Sequence, residues 1–163
     1  MPAAAAGLVE IPIAAMTAAV CVAALRARLR YLTVDVVGIS MEPALRYGDR
    51  LLVRRIPLRR LRTGDVVVVA LPGPDSPVGP DGRRGGPAGS DWMVKRVAAL
   101  PGDPVPDELA QILGEHTPAS VPARSLVVLG DNRGHSHDSR HCGFIPAHWL
   151  VGVAVRNPSR SAW

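Results

Sequence analysis

Six short runs rich in valine and leucine recur along the chain: YLTVDVVG (31–38), DRLLVRR (49–55), DVVVVA (65–70), WMVKRVAA (92–99), SLVVLG (125–130) and LVGVAV (150–155). Each is bounded by Gly, Pro or Asp, which interrupt strands and form turns. The pattern predicts a mainly β domain of six or more short strands, a compact curled sheet or small barrel. Sixteen glycines and sixteen prolines argue against a helical bundle. Aromatic residues make up only 4% of the chain against 47% hydrophobic, so the core must come from Val, Leu, Ile and Ala. A length of 163 residues suits one ordinary domain with an appendage. Residues 71–91, LPGPDSPVGPDGRRGGPAGSD, read as a flexible Gly/Pro-rich loop. PDELAQILGEH (106–116), acidic in its first turn, is the one helix expected beyond the N-terminal segment.

The appendage is residues 1–30. From Ile11 to Leu25 there is no charge, and extending back to Ala3 gives 23 residues with Glu10 as the only charge. A bilayer span needs about 20 predominantly apolar residues. A cleaved signal peptide would carry a basic residue ahead of its apolar core, and none is present. A buried core helix and a weak amphipathic anchor are the other readings; an uncleaved single membrane helix is the expectation. Arg26, Arg28 and Arg30 all follow the segment, which by the positive-inside rule would place the bulk of the chain in the cytoplasm. The net charge of +5 calls for an anionic neighbour, lipid headgroups or nucleic acid. The arginine run VRRIPLRRLR (53–62) lacks interleaved aromatics, so anionic lipid explains it at least as well as nucleic acid. Cys21 and Cys142 lie far apart, and no disulfide is expected between them.

Of the 19 basic residues only Lys95 is a lysine. A buried lysine can lose its proton, whereas a guanidinium effectively cannot. Strand alternation places Lys95 with Met93 and Val97, opposite to Val94 and Arg96, and desolvation on that apolar face favours the neutral amine. Two other segments carry chemistry. In VVGISMEPALRYGDRLLV (36–53), Ser40 follows a strand and Gly38, and Pro43 then redirects the chain. Such a turn can present a hydroxyl beside outward-pointing backbone N–H groups; taken alone, a capping serine explains it more simply. In VVLGDNRGHSHDSRHCGFIP (127–146), a strand delivers Asp131 and Asn132 into a polar loop with Ser136, Asp138 and Arg140. The spacing of His135, His137, His141 and Cys142 fits no common structural zinc pattern.

Together these segments resemble type I signal peptidases, the membrane-anchored Ser/Lys proteases that remove signal peptides from exported proteins. GISMEPAL, VKRVAALPGD and GDNRGHSHDSRHCGFIP stand for the family's three boxes, in family order, after one apolar segment. The resemblance implies a compact catalytic domain, 31–163, of the Gram-positive or mitochondrial inner-membrane type. It implies Ser40 as nucleophile, Lys95 as general base and Ser136 as the serine orienting the lysine amine. Asp138 with Arg140 would brace the loop, and Arg96, Asp131 and Asn132 match further structural positions. Gly38 replaces a hydroxyl residue that some members use at the oxyanion, while His135 and Ala44 stand where asparagine and threonine are usual. Val36, Met41, Leu45 and Val94, with Gly38, are the expected substrate-binding residues, making shallow pockets for small side chains at −1 and −3. The implied partners are signal-peptide-bearing precursors and anionic membrane lipid, with no nucleic acid, no metal and no cofactor, for a monomer at the cell membrane with an extracytoplasmic catalytic domain. The alternatives are a dedicated maturation peptidase, such as a cytoplasmic one acting on a nickel superoxide dismutase precursor, and a non-catalytic membrane-tethered peptide-binding module.

Overall fold

The computed structural model describes residues 7–71 and 91–156. The chain divides into two units, Met1–Leu32 and Thr33–Trp163. The first contains one helix, α1 (Gly7–Arg30), which ends in basic residues, with Met16, Val20, Leu25 and Leu29 exposed along it. Twenty-four residues span about 36 Å at 1.5 Å per residue. Among the described residues no helix is long and apolar enough to cross a membrane. Residues 3–6 of the expected span lie outside the described residues.

Seven strands follow: β1 (Tyr31–Asp35), β2 (Arg50–Arg54), β3 (Val66–Leu71), β4 (Asp91–Ala99), β5 (Ser125–Leu129), β6 (Ile145–Pro146) and β7 (Leu150–Arg156). They form one sheet in the order β1-β2-β7-β3-β4-β5-β6. Each of the six runs read from the sequence supplies a strand. The expected loop 71–91 is shorter at its ends, because Leu71 and Asp91 pair as the last rung of β3 against β4. Its interior, 72–90, lies outside the described residues. The expected helix 106–116 is α2 (Asp107–Leu113), tightened into one 3₁₀ turn, Gly114–His116.

The described pairings along β7, β3, β4 and β5 are antiparallel, with register irregularities at Leu52/Val53, Val68/Val69 and Val97/Ala99. Such irregularities bend strands and increase local twist, which curls a sheet. The third has a further effect. Val97 and Ala99 have the same strand parity, yet Val97 packs with Val67, Val69, Leu126 and Val128, whereas Ala99 packs with Leu109, Val121 and Val127. β4 therefore serves two apolar clusters, and β5 is buried on both faces. Every residue from Val66 to Ala70 is also buried, as expected of a strand covered on both sides.

Candidate active site

After β1 the chain turns at Gly38, whose φ of +101° is a conformation that L side chains rarely adopt. The turn that follows carries Ser40. Its neighbours are held from the far end of the sequence: the Asn132 N–H donates to the Ser40 carbonyl at 3.0 Å, and the Asn132 side-chain amide donates to the Ile39 carbonyl at 3.2 Å. The Glu42 N–H donates to the same Ile39 carbonyl at 3.1 Å. In a planar trans peptide the C=O and N–H point opposite ways, so the Ser40 N–H faces away from these donors. Two carbonyls of one turn are thus fixed by a single asparagine.

Lys95 meets this turn from the sheet. It lies on β4 opposite Val67, with Val97 buried beside it on the same face. The lysine is only 3% exposed, and Nζ donates to Ser40 Oγ at 2.7 Å. Burial pushes its pKa below the usual lysine range, with the charges of Asp138 and Cys142 pulling partly the other way.

The third segment closes the site from behind. Asp138 is fully buried and caps α3 (Ser139–Cys142). The Arg140 guanidinium donates to its two oxygens at 3.0 and 2.9 Å, and the Gly130 N–H donates to Oδ2 at 2.9 Å. Burial is the largest influence and works against ionisation. The hydrogen bonds from Arg140 and the Gly130 N–H, supported by Ser136 and the Arg140 N–H, outweigh it and hold the carboxyl well below the usual carboxylate range. A second ion pair locks the strand carrying the lysine. Arg96 grips Asp131 through two bonds of 2.8 and 2.6 Å and donates a third to the Gly64 carbonyl at 2.9 Å. The two-pronged geometry is one that lysine could not reproduce.

Ser136 is buried, and its Oγ has no hydrogen-bond partner among the described residues. It stands near enough to Asp138 to help keep that carboxylate ionised, yet it makes no hydrogen bond to Lys95. Its place is set by Gly130. A Cβ built on Gly130 would collide with Ser136 Oγ and would come within 2.6 Å of the Ser40 carbonyl oxygen. The absent side chain at residue 130 lets β5, the Ser40 turn and the Ser136 loop converge. Sequence reasoning gave Gly130 no role of its own; the signal available was its position at the end of the run SLVVLG (125–130), directly before Asp131 and Asn132.

A groove of about 930 Å³ runs past this pair, between residues 33–41 on one side and Trp92 to Lys95 of β4 on the other. Gly38, Ser40 and Lys95 line it, as do Val36, Met41 and Val94. Leu45 does not: it is fully buried. Trp92, Ile39, His135 and His137 are lining residues that sequence reasoning did not select. In register, β4 pairs with β5 only from Arg96 onward, while Asp91 to Lys95 pair with β3 alone, so among the described strands one edge of β4 faces the groove unpaired. The histidine-rich stretch forms a different arrangement. His137 and His141 stack at 4.8 Å, and Cys142 Sγ lies 3.2 Å from His137 Nε2. Among the described residues no group of three or more His, Cys, Asp or Glu side chains is placed to hold a metal.

A serine hydroxyl against a buried amine lies beside an open strand edge, and the chain that builds this arrangement is similar to known proteins. A family described as "Signal peptidase, peptidase S26" matches residues 8–118 and 106–157. The chain is 34% identical over 133 residues to the probable signal peptidase I-2 of Synechocystis sp., covering 71% of this chain and 57% of that protein. It is 31% identical over 134 residues to the signal peptidase I of Leptolyngbya laminosa, covering 71% and 63%. It is 28% identical over 139 residues to thylakoidal processing peptidase 1 of Arabidopsis thaliana, covering 74% and 40%. The chain thus matches less than two thirds of the length of each of these three relatives.

Proposed function

The chain belongs to the signal peptidase, peptidase S26 family, and on that premise we propose that it is a serine endopeptidase that removes signal peptides from exported precursors. The observation that carries this reading is the 2.7 Å contact between Ser40 Oγ and the buried amine of Lys95. In the neutral form Lys95 Nζ accepts the Ser40 proton as Oγ attacks the scissile carbonyl. The oxyanion forms against the Ser40 N–H, which the carbonyl arrangement at Ile39 turns away from Asn132. The lysine then returns its proton to the leaving amine, and repeats the cycle on a water that releases the acyl group. Asp138, Arg140, Arg96, Asp131 and Asn132 act by fixing the three segments. To Ser136, buried and making no hydrogen bond to Lys95, falls the role that the family resemblance gives it, steering the amine as its protonation changes.

The substrate adds as an extended strand along the open edge of β4, presenting its −1 and −3 side chains to the wall made by Val36, Met41 and Val94. Shallow apolar walls of this kind accept small residues. Residues 1–30 serve as a membrane attachment and 31–163 as the catalytic domain, acting as a monomer on the extracytoplasmic side. Arg26, Arg28 and Arg30 favour a second reading, in which the catalytic domain lies in the cytoplasm and matures one dedicated precursor.

The test is cleavage of a fluorogenic peptide carrying an Ala-x-Ala site, in detergent micelles, by wild type and by Lys95→Arg. Cleavage after the second alanine, abolished in the variant, is the expected result. An intact peptide with wild type would overturn general signal-peptide cleavage in favour of a dedicated substrate, and activity in the variant would remove Lys95 as the base.

A further inference from the structure

A second concavity, about 560 Å³, shares no lining residue with the groove. It opens where the segment joining β2 to β3 passes over β7. Arg54, Arg59, Arg60 and Arg62 surround it, with Asp65 as the only carboxylate in its lining. That carboxylate is already engaged, since Asp65 Oδ2 accepts the Arg62 backbone N–H at 2.8 Å. Elsewhere Arg50, Arg96, Arg133 and Arg140 each pair with a carboxylate. Among the described residues none of the four guanidinium groups around this pocket has a hydrogen-bond or ion-pair partner. The four exposed arginines therefore concentrate unmatched positive charge around one hollow, a field that attracts an anion.

The pocket is not purely polar. Ile56 is half-buried in its lining, and Val155, also in the lining, is 38% exposed. Guanidinium forks match phosphate oxygens in geometry as well as charge. The apolar wall suits the glycerol and first methylenes of a lipid, and no aromatic side chain lines the pocket to stack a nucleobase. We infer that this pocket binds the phosphate headgroup of an anionic phospholipid. The inference rests on the pocket alone and stands whether or not the groove is a peptidase site.

The experiment is calorimetric titration of the full chain in neutral detergent micelles with dihexanoyl-phosphatidylglycerol, dihexanoyl-phosphatidylcholine, inorganic phosphate and a single-stranded oligonucleotide. Phosphatidylglycerol is expected to bind at least tenfold more tightly than the zwitterionic lipid. Arg59→Gln with Arg60→Gln should weaken that binding about thirtyfold, from about 1 kcal/mol for each basic residue near an anionic lipid surface. Arg54→Gln with Arg62→Gln approaches the pocket from its other side and is expected to act in the same direction. Both pairs are on the surface and outside the groove, so cleavage of a soluble peptide in lipid-free micelles should be unchanged. Equal binding of the two lipids, or wild-type binding by both folded variants, would overturn the proposal. So would inorganic phosphate binding as tightly as phosphatidylglycerol, which would make the site one for free phosphate, or tighter binding of the oligonucleotide.

Discussion

At position 95 the difference between lysine and arginine is one removable proton, and three segments converge on that proton. Lys95→Arg and Ser40→Ala are each expected to abolish cleavage while leaving the unfolding transition cooperative. As the proposed base, Lys95 must be neutral, so kcat/KM should rise with pH through its pKa. Because burial lowers that pKa, the ascending limb should lie below the usual lysine value of about 10.4. A limb centred at or above that value would contradict a desolvated amine. The same burial costs stability, since below its unfolded pKa the lysine must give up its proton or keep its charge away from water. Lys95→Met should therefore be inactive yet more stable, by about 1–2 kcal/mol in urea unfolding. Gly130→Ala is the converse case. Its new Cβ has nowhere to go but against Ser136 and the Ser40 carbonyl, so activity should fall about 100-fold or more, the scale of loss that misplacing a reacting group by about 1 Å can produce. Wild-type turnover by that variant would show that the turn can shift without consequence.

Elements place these residues, and their legibility in the sequence varied with how local their causes are. The six longer strands were readable because Val/Leu runs between turn residues are a local signal. The two-residue β6 and the four-residue α3 were not. α3 exists because Asp138 caps it, and Asp138 is held in turn by Gly130 and Arg140, so its cause lies in tertiary contacts. That Asp138 braces the loop with Arg140 was implied by the resemblance of this segment to a family box; the bond from the Gly130 N–H, which ties the loop to the end of β5, could not be read from the sequence. Asp138→Asn removes the charge while keeping the shape, leaving the half-buried Arg140 without its counter-ion. The expected cost is about 1–3 kcal/mol, the scale for losing a hydrogen bond to a charged group, read as a lowered urea midpoint. A loss under about 1 kcal/mol would mean that the loop is held by its backbone alone.

For the whole molecule the same carboxylate contributes to the response to acid. Its folded pKa is depressed, so its contribution to stability is fully present above its unfolded value of about 3.9 and is lost as pH falls through the folded value. Thermal unfolding of the wild type should therefore be nearly independent of this group above about pH 5 and weaken in strong acid. Asp138→Asn should flatten that acid dependence, and an unchanged acid slope in the variant would assign it to other groups. The sequence by itself determined which residues are candidates for the chemistry and where most strands run, because boxes of contiguous residues and alternating apolar runs are properties of short stretches. It suggested the burial of Lys95 from strand parity, but not its degree. Only the tertiary structure decided that Ser40 and Lys95, 55 residues apart, meet at 2.7 Å, that Leu45 lies in the core while Trp92 and His137 wall the groove, and that four arginines share one hollow. The physical reason is the strand order. β7 comes between β2 and β3, so the chain's last strand builds the pocket next to the chain's middle, and desolvation, close approach and field depend on that non-local packing.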